Sequence, residues 1–119
     1  MLAASAALLA VSAVQAANPG ERLFQQCYAC HSVDPAERGL PGPNLSGVVG
    51  RPAAGEPGFD YSAAMRSAAA RGLRWSEAEL DRFIADPEAA MPGTSMSYLG
   101  LRKAEERRAL IDYLKRASR

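Results

Sequence analysis

The sequence predicts an all-α domain with long irregular loops, on three observations. Apolar residues recur at helical spacing in about four stretches. No stretch shows the alternating pattern of a half-buried strand. Residues 32–60 hold Pro35, Pro41, Pro43, Pro52 and Pro57 with six glycines, a run too long for a structureless loop in a compact domain unless it wraps a bound group.

The first predicted helix covers about Glu21 to His31, with Leu23, Phe24 and Cys27 on one face and Tyr28 and His31 extending it. Ser62 to Arg71 reads as an Ala-rich helix stopped by Gly72. Trp75 precedes Ser76-Glu77-Ala78-Glu79, a capping box with Ser76 as N-cap. That helix runs to about Ala85 and stops before Pro87. Residues 86–100 read as a second loop. The last helix, about Lys103 to Arg116, carries Leu110, Ile111 and Leu114 on one face, with Tyr113 beside them.

The chain has 119 residues, enough for one domain, and no internal repeat. Residues 1–17 contain no charge, are rich in Ala, Leu and Val, and end in Val14-Gln15-Ala16-Ala17. They read as a signal peptide ahead of a domain over 18–119, although no Lys or Arg precedes the apolar run. Cleavage after Ala16 or Ala17 is expected, and the intact mass of the mature protein reports it. An uncleaved anchor is the alternative, and a retained Met1 would support it. Export implies a periplasmic location, with no stable membrane insertion once the leader is removed. Fourteen basic residues against thirteen acidic ones, a formal charge of +1, leave no basic face for nucleic acid. The expected surface is mixed and solvated.

The chemistry lies in Cys27-Tyr28-Ala29-Cys30-His31. A c-type haem needs two thiols spaced to meet two vinyl groups and an imidazole placed to reach the iron, and C-x-x-C-H provides them in five residues. A thioredoxin-like pair needs a βαβ setting that this pattern lacks. A structural zinc site needs four ligands, and the chain has two Cys and one His. A Cys27–Cys30 disulfide would close a loop too short to constrain much. One covalently attached haem c is therefore expected, with Cys27 and Cys30 as attachment points and His31 as an iron ligand.

Because His31 is the only histidine, bis-histidine ligation within the chain is excluded. The other ligand is then Met, Lys, water or none. The second ring nitrogen of a metal-bound His needs an acceptor, and the turn at Pro41-Gly42-Pro43 can present a carbonyl. Met65 falls in a helix and reads as core. Met91 and Met96 flank Pro92-Gly93-Thr94-Ser95, and the stiff turn favours Met96 over Met91.

The chain resembles a class I cytochrome c of the mitochondrial and bacterial cytochrome c2 type. The matching stretches, in order, are Gly20-Glu21-Arg22-Leu23-Phe24, CYACH, Gly42-Pro43-Asn44-Leu45-Ser46-Gly47, Gly50-Arg51, Tyr61-Ser62, Trp75, Met91-Pro92-Gly93-Thr94-Ser95-Met96 and Leu110-Ile111-Asp112-Tyr113-Leu114. The resemblance implies a small fold of about four helices and long loops around the haem. It implies His31 and Met96 as axial ligands and the Pro43 carbonyl as acceptor from His31. It further implies that Arg51, Tyr61, Trp75 and Thr94 surround the haem propionates, a role that suits hydrogen-bond donors. Gly20 and Phe24 should pack against Leu110 and Tyr113, and Tyr98 resembles an aromatic near the exposed haem edge. Two departures stand out. Phe83 replaces a haem-facing Tyr of many relatives, and Ser95 replaces a Lys before the axial Met, with Arg102-Lys103 shortly after, so docking through a strong lysine ring is not implied.

These features imply a monomeric, soluble one-electron carrier between donor and acceptor redox proteins. A haem subunit docked to a dehydrogenase or oxidase is the alternative. A peroxidase or ligand-binding haem protein would follow if Met96 leaves the iron open.

Overall fold

The computed structural model describes residues 18–117; the expected leader, residues 1–17, and residues 118–119 lie outside the described residues. Five helices follow in order: α1 (Pro19–Phe24), α2 (Ala63–Ala70), α3 (Glu77–Ala85), α4 (Pro87–Ala90) and α5 (Ala104–Ala117). Among the described residues no strand forms, and the only sheet-like feature is an isolated antiparallel bridge between Pro52 and Arg74. The all-α expectation agrees, with one helix more than expected.

That extra helix is α4, inside the segment expected to be a loop. Asp86 explains it. Its carboxylate accepts from Ala89 N at 3.2 Å, and Pro87 stands at the first helical position, where a missing N–H costs nothing. The same Asp-Pro pair ends α3 and starts α4.

Helix α1 starts earlier than expected, because the Asn18 side chain accepts from Gly20 N at 2.9 Å and Glu21 N at 3.4 Å. It also ends earlier, at Phe24 rather than near His31. Residues 25–30 form tightened turns, with Cys27 N donating to Phe24 O at 2.7 Å and Cys30 N to Cys27 O at 3.0 Å. Bonds of this three-residue reach satisfy the carbonyls that a helix end leaves without partners. Helix α3 starts as expected, with Ser76 Oγ accepting from Glu79 N at 3.2 Å.

The core forms where α1 and α3 pack against α5. Gly20 makes the first contact possible: a β-carbon there would overlap the Ala109 carbonyl oxygen and stand 2.6 Å from Tyr113 Cβ. Phe24 is fully buried, with its ring centroid 5.5 Å from that of Tyr113; burying such a side chain stabilises the fold by about 1.5–3 kcal/mol. From α3, Leu80, Phe83 and Ile84 join Leu110, Ile111 and Leu114 of α5 in the buried cluster. Helix α2 buries only Ala68, with Ala64, Met65 and Ala69 packed against the core.

Two links hold the loops. Residues 50–53 lie antiparallel to 73–75, with Gly50 N to Trp75 O at 2.7 Å, Trp75 N to Arg51 O at 2.8 Å and Ala53 N to Leu73 O at 2.9 Å. At the start of α5, Arg107 Nε donates to Asp81 Oδ1 at 2.7 Å and Nη1 to Leu101 O at 3.0 Å. Leu101 N in turn donates to Ile84 O at 2.9 Å. The segment after Met96 is thereby fastened to α3. No helix among the described residues is long and apolar enough to cross a membrane.

Candidate haem site

Cys27 and Cys30 are both free thiols, Cys27 half-buried and Cys30 exposed. The two stand three apart in turns of three-residue reach, and Cys30 is near enough to act on Cys27. Burial, with a smaller contribution from Cys30, pushes the Cys27 thiol up to about 11. His31 N donates to Cys27 O at 2.8 Å, closing the motif as one more turn.

The His31 ring is buried and its Nδ1 lies 2.7 Å from Pro43 O. A carbonyl only accepts, so Nδ1 carries the proton and Nε2 keeps its lone pair. Burial holds the imidazole below its usual pKa, with Arg51 adding to the effect, while the Pro43 bond and Glu56 oppose it. The ring is therefore held in the neutral form that a metal takes. The loop fits around it closely, since a β-carbon on Gly42 would lie 2.5 Å from His31 Cε1. Gly42 N donates to Cys30 O at 2.8 Å and Leu45 N to Ser32 O at 2.8 Å, which ties the Pro43 loop to the motif.

Two residues that sequence reasoning did not single out as functional build this loop. Asn44 is buried and fully engaged: Nδ2 donates to Asp34 O at 2.7 Å and Glu37 O at 2.9 Å, and Oδ1 accepts from Ser46 N at 2.8 Å. The Glu56 side chain is only 8% exposed. Its Oε2 accepts from Asn44 N and its Oε1 from Arg38 Nη1, each at 2.6 Å. Asn44 lay within a quoted motif; Glu56 sat in the Pro/Gly-rich run with no local pattern to mark it.

Of the four expected propionate donors, the structure joins Arg51 and Trp75 through the 50–53/73–75 ladder. Tyr61 lies on the same wall, its hydroxyl accepting from Glu56 N at 3.0 Å. The Arg51 side chain passes Gly55, next to Glu56 in the chain: a β-carbon on Gly55 would stand 3.0 Å from Arg51 Cγ. Thr94 stands in the turn between Met91 and Met96, where its hydroxyl accepts from Met96 N at 3.3 Å.

Arg51 also provides the test of whether this wall suits an anionic group. Its Nη1 donates to Ser46 O at 3.2 Å, but its Nε is buried without a partner among the described residues. A buried N–H is seldom left unpaired, and a guanidinium donor matches a carboxylate. The residues fit a haem: two free thiols three apart, one imidazole with one open nitrogen, and a buried guanidinium N–H without a partner among the described residues. No group of three or more His, Cys, Asp and Glu that could hold a bare metal ion occurs among the described residues.

On the distal side, Met91 is buried in the core cluster, while Met96 is half-buried and packed against it. Met65 likewise packs on the core, as expected. Thr94 N donates to Met91 O at 3.0 Å, and Gly93 N to Glu88 Oε1 at 3.1 Å, which sets the turn between the two methionines. Tyr98 Oη donates to Gln26 Oε1 at 3.0 Å, closing the distal loop onto the residue before Cys27. Burial first, then Cys27 and Glu106, hold the Tyr98 phenol above its usual range. Phe83 packs on Trp75 with centroids 5.1 Å apart, so no hydroxyl stands at that position.

Comparison with known proteins places the chain in a family. The family model described as cytochrome c matches residues 17–118. Cytochrome c2 of Rhodomicrobium vannielii is 40% identical over 112 residues, covering 92% of this chain and 87% of that one. Cytochrome c of Sesamum indicum is 41% identical, covering 83% and 87% respectively. Among solved structures, cytochrome cH from Methylobacterium extorquens superposes with a TM-score of 0.73 at 38% identity, covering 82% of this chain and 95% of that one.

Proposed function

The chain belongs to the cytochrome c family, and from that premise we propose that it carries single electrons between donor and acceptor redox proteins. Haem c, when bound, supplies an iron that cycles between ferric and ferrous. Cys27 and Cys30 would hold that group through their thiols, His31 Nε2 and Met96 Sδ would ligate its iron, and Arg51, Tyr61, Trp75 and Thr94 would donate to its propionates. The carrying observation is the 2.7 Å contact between His31 Nδ1 and Pro43 O. It commits one ring nitrogen to the protein and leaves the other open, on the only histidine of the chain.

Ligation by His and Met raises a haem's reduction potential and leaves no position for substrate. The protein is accordingly a carrier and not a peroxidase. Hydrogen bonds tie down the loops that hold the site: the Pro43 loop through Asn44 and Glu56, the distal loop through Arg107 and Tyr98. A monomer exported to the periplasm by the 1–17 leader, meeting its partners transiently, suits a chain with a net charge of +1 and no membrane-crossing helix among the described residues.

Carbon monoxide separates carrier from enzyme. Mixed rapidly with the reduced holoprotein, it should leave the visible spectrum unchanged over seconds. Prompt formation of a carbonyl spectrum would instead mean an open distal position and a ligand-binding or peroxidase role.

A further inference from the structure

The Pro43–Asn44 peptide bond is a single planar, polarisable unit, and the structure uses both ends of it. At one end the Pro43 carbonyl accepts from His31 Nδ1 at 2.7 Å. At the other, the Asn44 N–H donates to Glu56 Oε2 at 2.6 Å. Glu56 is thus connected to the imidazole by two short hydrogen bonds in series across one amide. Its side chain is 8% exposed, so water screens it little.

We infer that Glu56 is a positioning residue for the redox centre, setting the donor strength of His31 through the Pro43–Asn44 peptide. A carboxylate drawing on the Asn44 N–H shifts electron density toward the Pro43 oxygen. That oxygen then draws more strongly on the Nδ1 proton, and the imidazole becomes a better donor at Nε2. Hydrogen bonds in series strengthen one another in this way, and partners of a ligating histidine tune its basicity. A stronger donor favours the ferric state and lowers the reduction potential. Arg38 moderates the effect: its Nη1 holds the other Glu56 oxygen at 2.6 Å, while its own side chain is largely exposed. The Asn44 side chain, with three bonds at 2.7 to 2.9 Å, keeps the peptide from turning away.

The inference rests on His31 as an iron ligand, and the test reads that separately. In the oxidised, isotope-labelled holoprotein, the His31 Nδ1–H resonance should be strongly shifted by the paramagnetic iron; a diamagnetic position would overturn the ligand assignment itself. Given that shift, Glu56→Gln keeps an acceptor for Asn44 N but removes the charge. It should move the Nδ1–H resonance upfield and favour the ferrous state by about threefold, ~28 mV at 59 mV per tenfold for one electron. Glu56→Asp keeps the charge but shortens the reach by one methylene, and should behave like Glu56→Gln. Arg38→Gln, at an exposed side chain that folding tolerates, should move resonance and potential the opposite way. An unmoved Nδ1–H in Glu56→Gln and Arg38→Gln would overturn the relay. So would an aspartate variant indistinguishable from wild type, since a through-space field alone needs no contact with Asn44.

Discussion

Arg51 Nε is buried without a partner among the described residues, and that single atom says most about what the wall beside Trp75 is for. A positive charge facing a propionate stabilises the ferrous state relative to the ferric one, because reduction removes a positive charge from the iron. Replacing Arg51 by Leu should therefore lower the reduction potential. It should also cost the holoprotein about 1.5–3 kcal/mol, the worth of a hydrogen bond to a charged group. Potentiometric titration and denaturant melts check both, and a variant matching wild type in each would place Arg51 outside the site. At this scale the sequence was most legible where chemistry is contiguous: Cys27, Cys30 and His31 stand within five residues. It was least legible at Glu56, which reaches Asn44 from twelve residues away across a Pro- and Gly-rich run. A lone glutamate there reads as a solvated side chain until the fold buries it.

Helices were legible in existence and less so in extent. Capping chemistry marked α3 through Ser76, and apolar spacing marked α5. The spacing of Leu23, Phe24 and Cys27 suggested that α1 continues through the motif, but apolar spacing cannot distinguish α-helical turns from the tighter ones that follow Phe24. Helix α4 is hidden in the sequence because Pro87 reads as the end of α3, whereas Asp86-Pro87 also caps and begins a new helix. The junction of α1 with α5 depends on Gly20, where a β-carbon would overlap the Ala109 carbonyl oxygen. Gly20→Leu should destabilise the holoprotein by about 3 kcal/mol through overpacking, read as a lowered midpoint in thermal or denaturant unfolding. An unchanged midpoint would mean that the two helices do not meet at this residue.

For the whole molecule, helices do little of the enclosing. Helix α2 buries little beyond Ala68, and the 32–60 segment folds as loops pinned by Asn44, Glu56 and the 50–53/73–75 ladder. That is the architecture of a chain built around a prosthetic group, and the Pro- and Gly-rich run is its signature in the sequence. The stiff turn and the resemblance both favour Met96 over Met91 in the sequence, and the two differ in burial, with Met91 in the core and Met96 half-buried beyond a turn held by Thr94 and Gly93. The central claim, a His31/Met96 carrier site, is tested most directly by near-infrared absorption of the oxidised holoprotein, where a methionine sulfur on ferric haem gives a weak band. The account predicts that band in wild type and in Met91→Ala, and its loss in Met96→Ala with the visible haem spectrum otherwise retained. A band that survives Met96→Ala and vanishes in Met91→Ala, or that is missing from wild type, would contradict it.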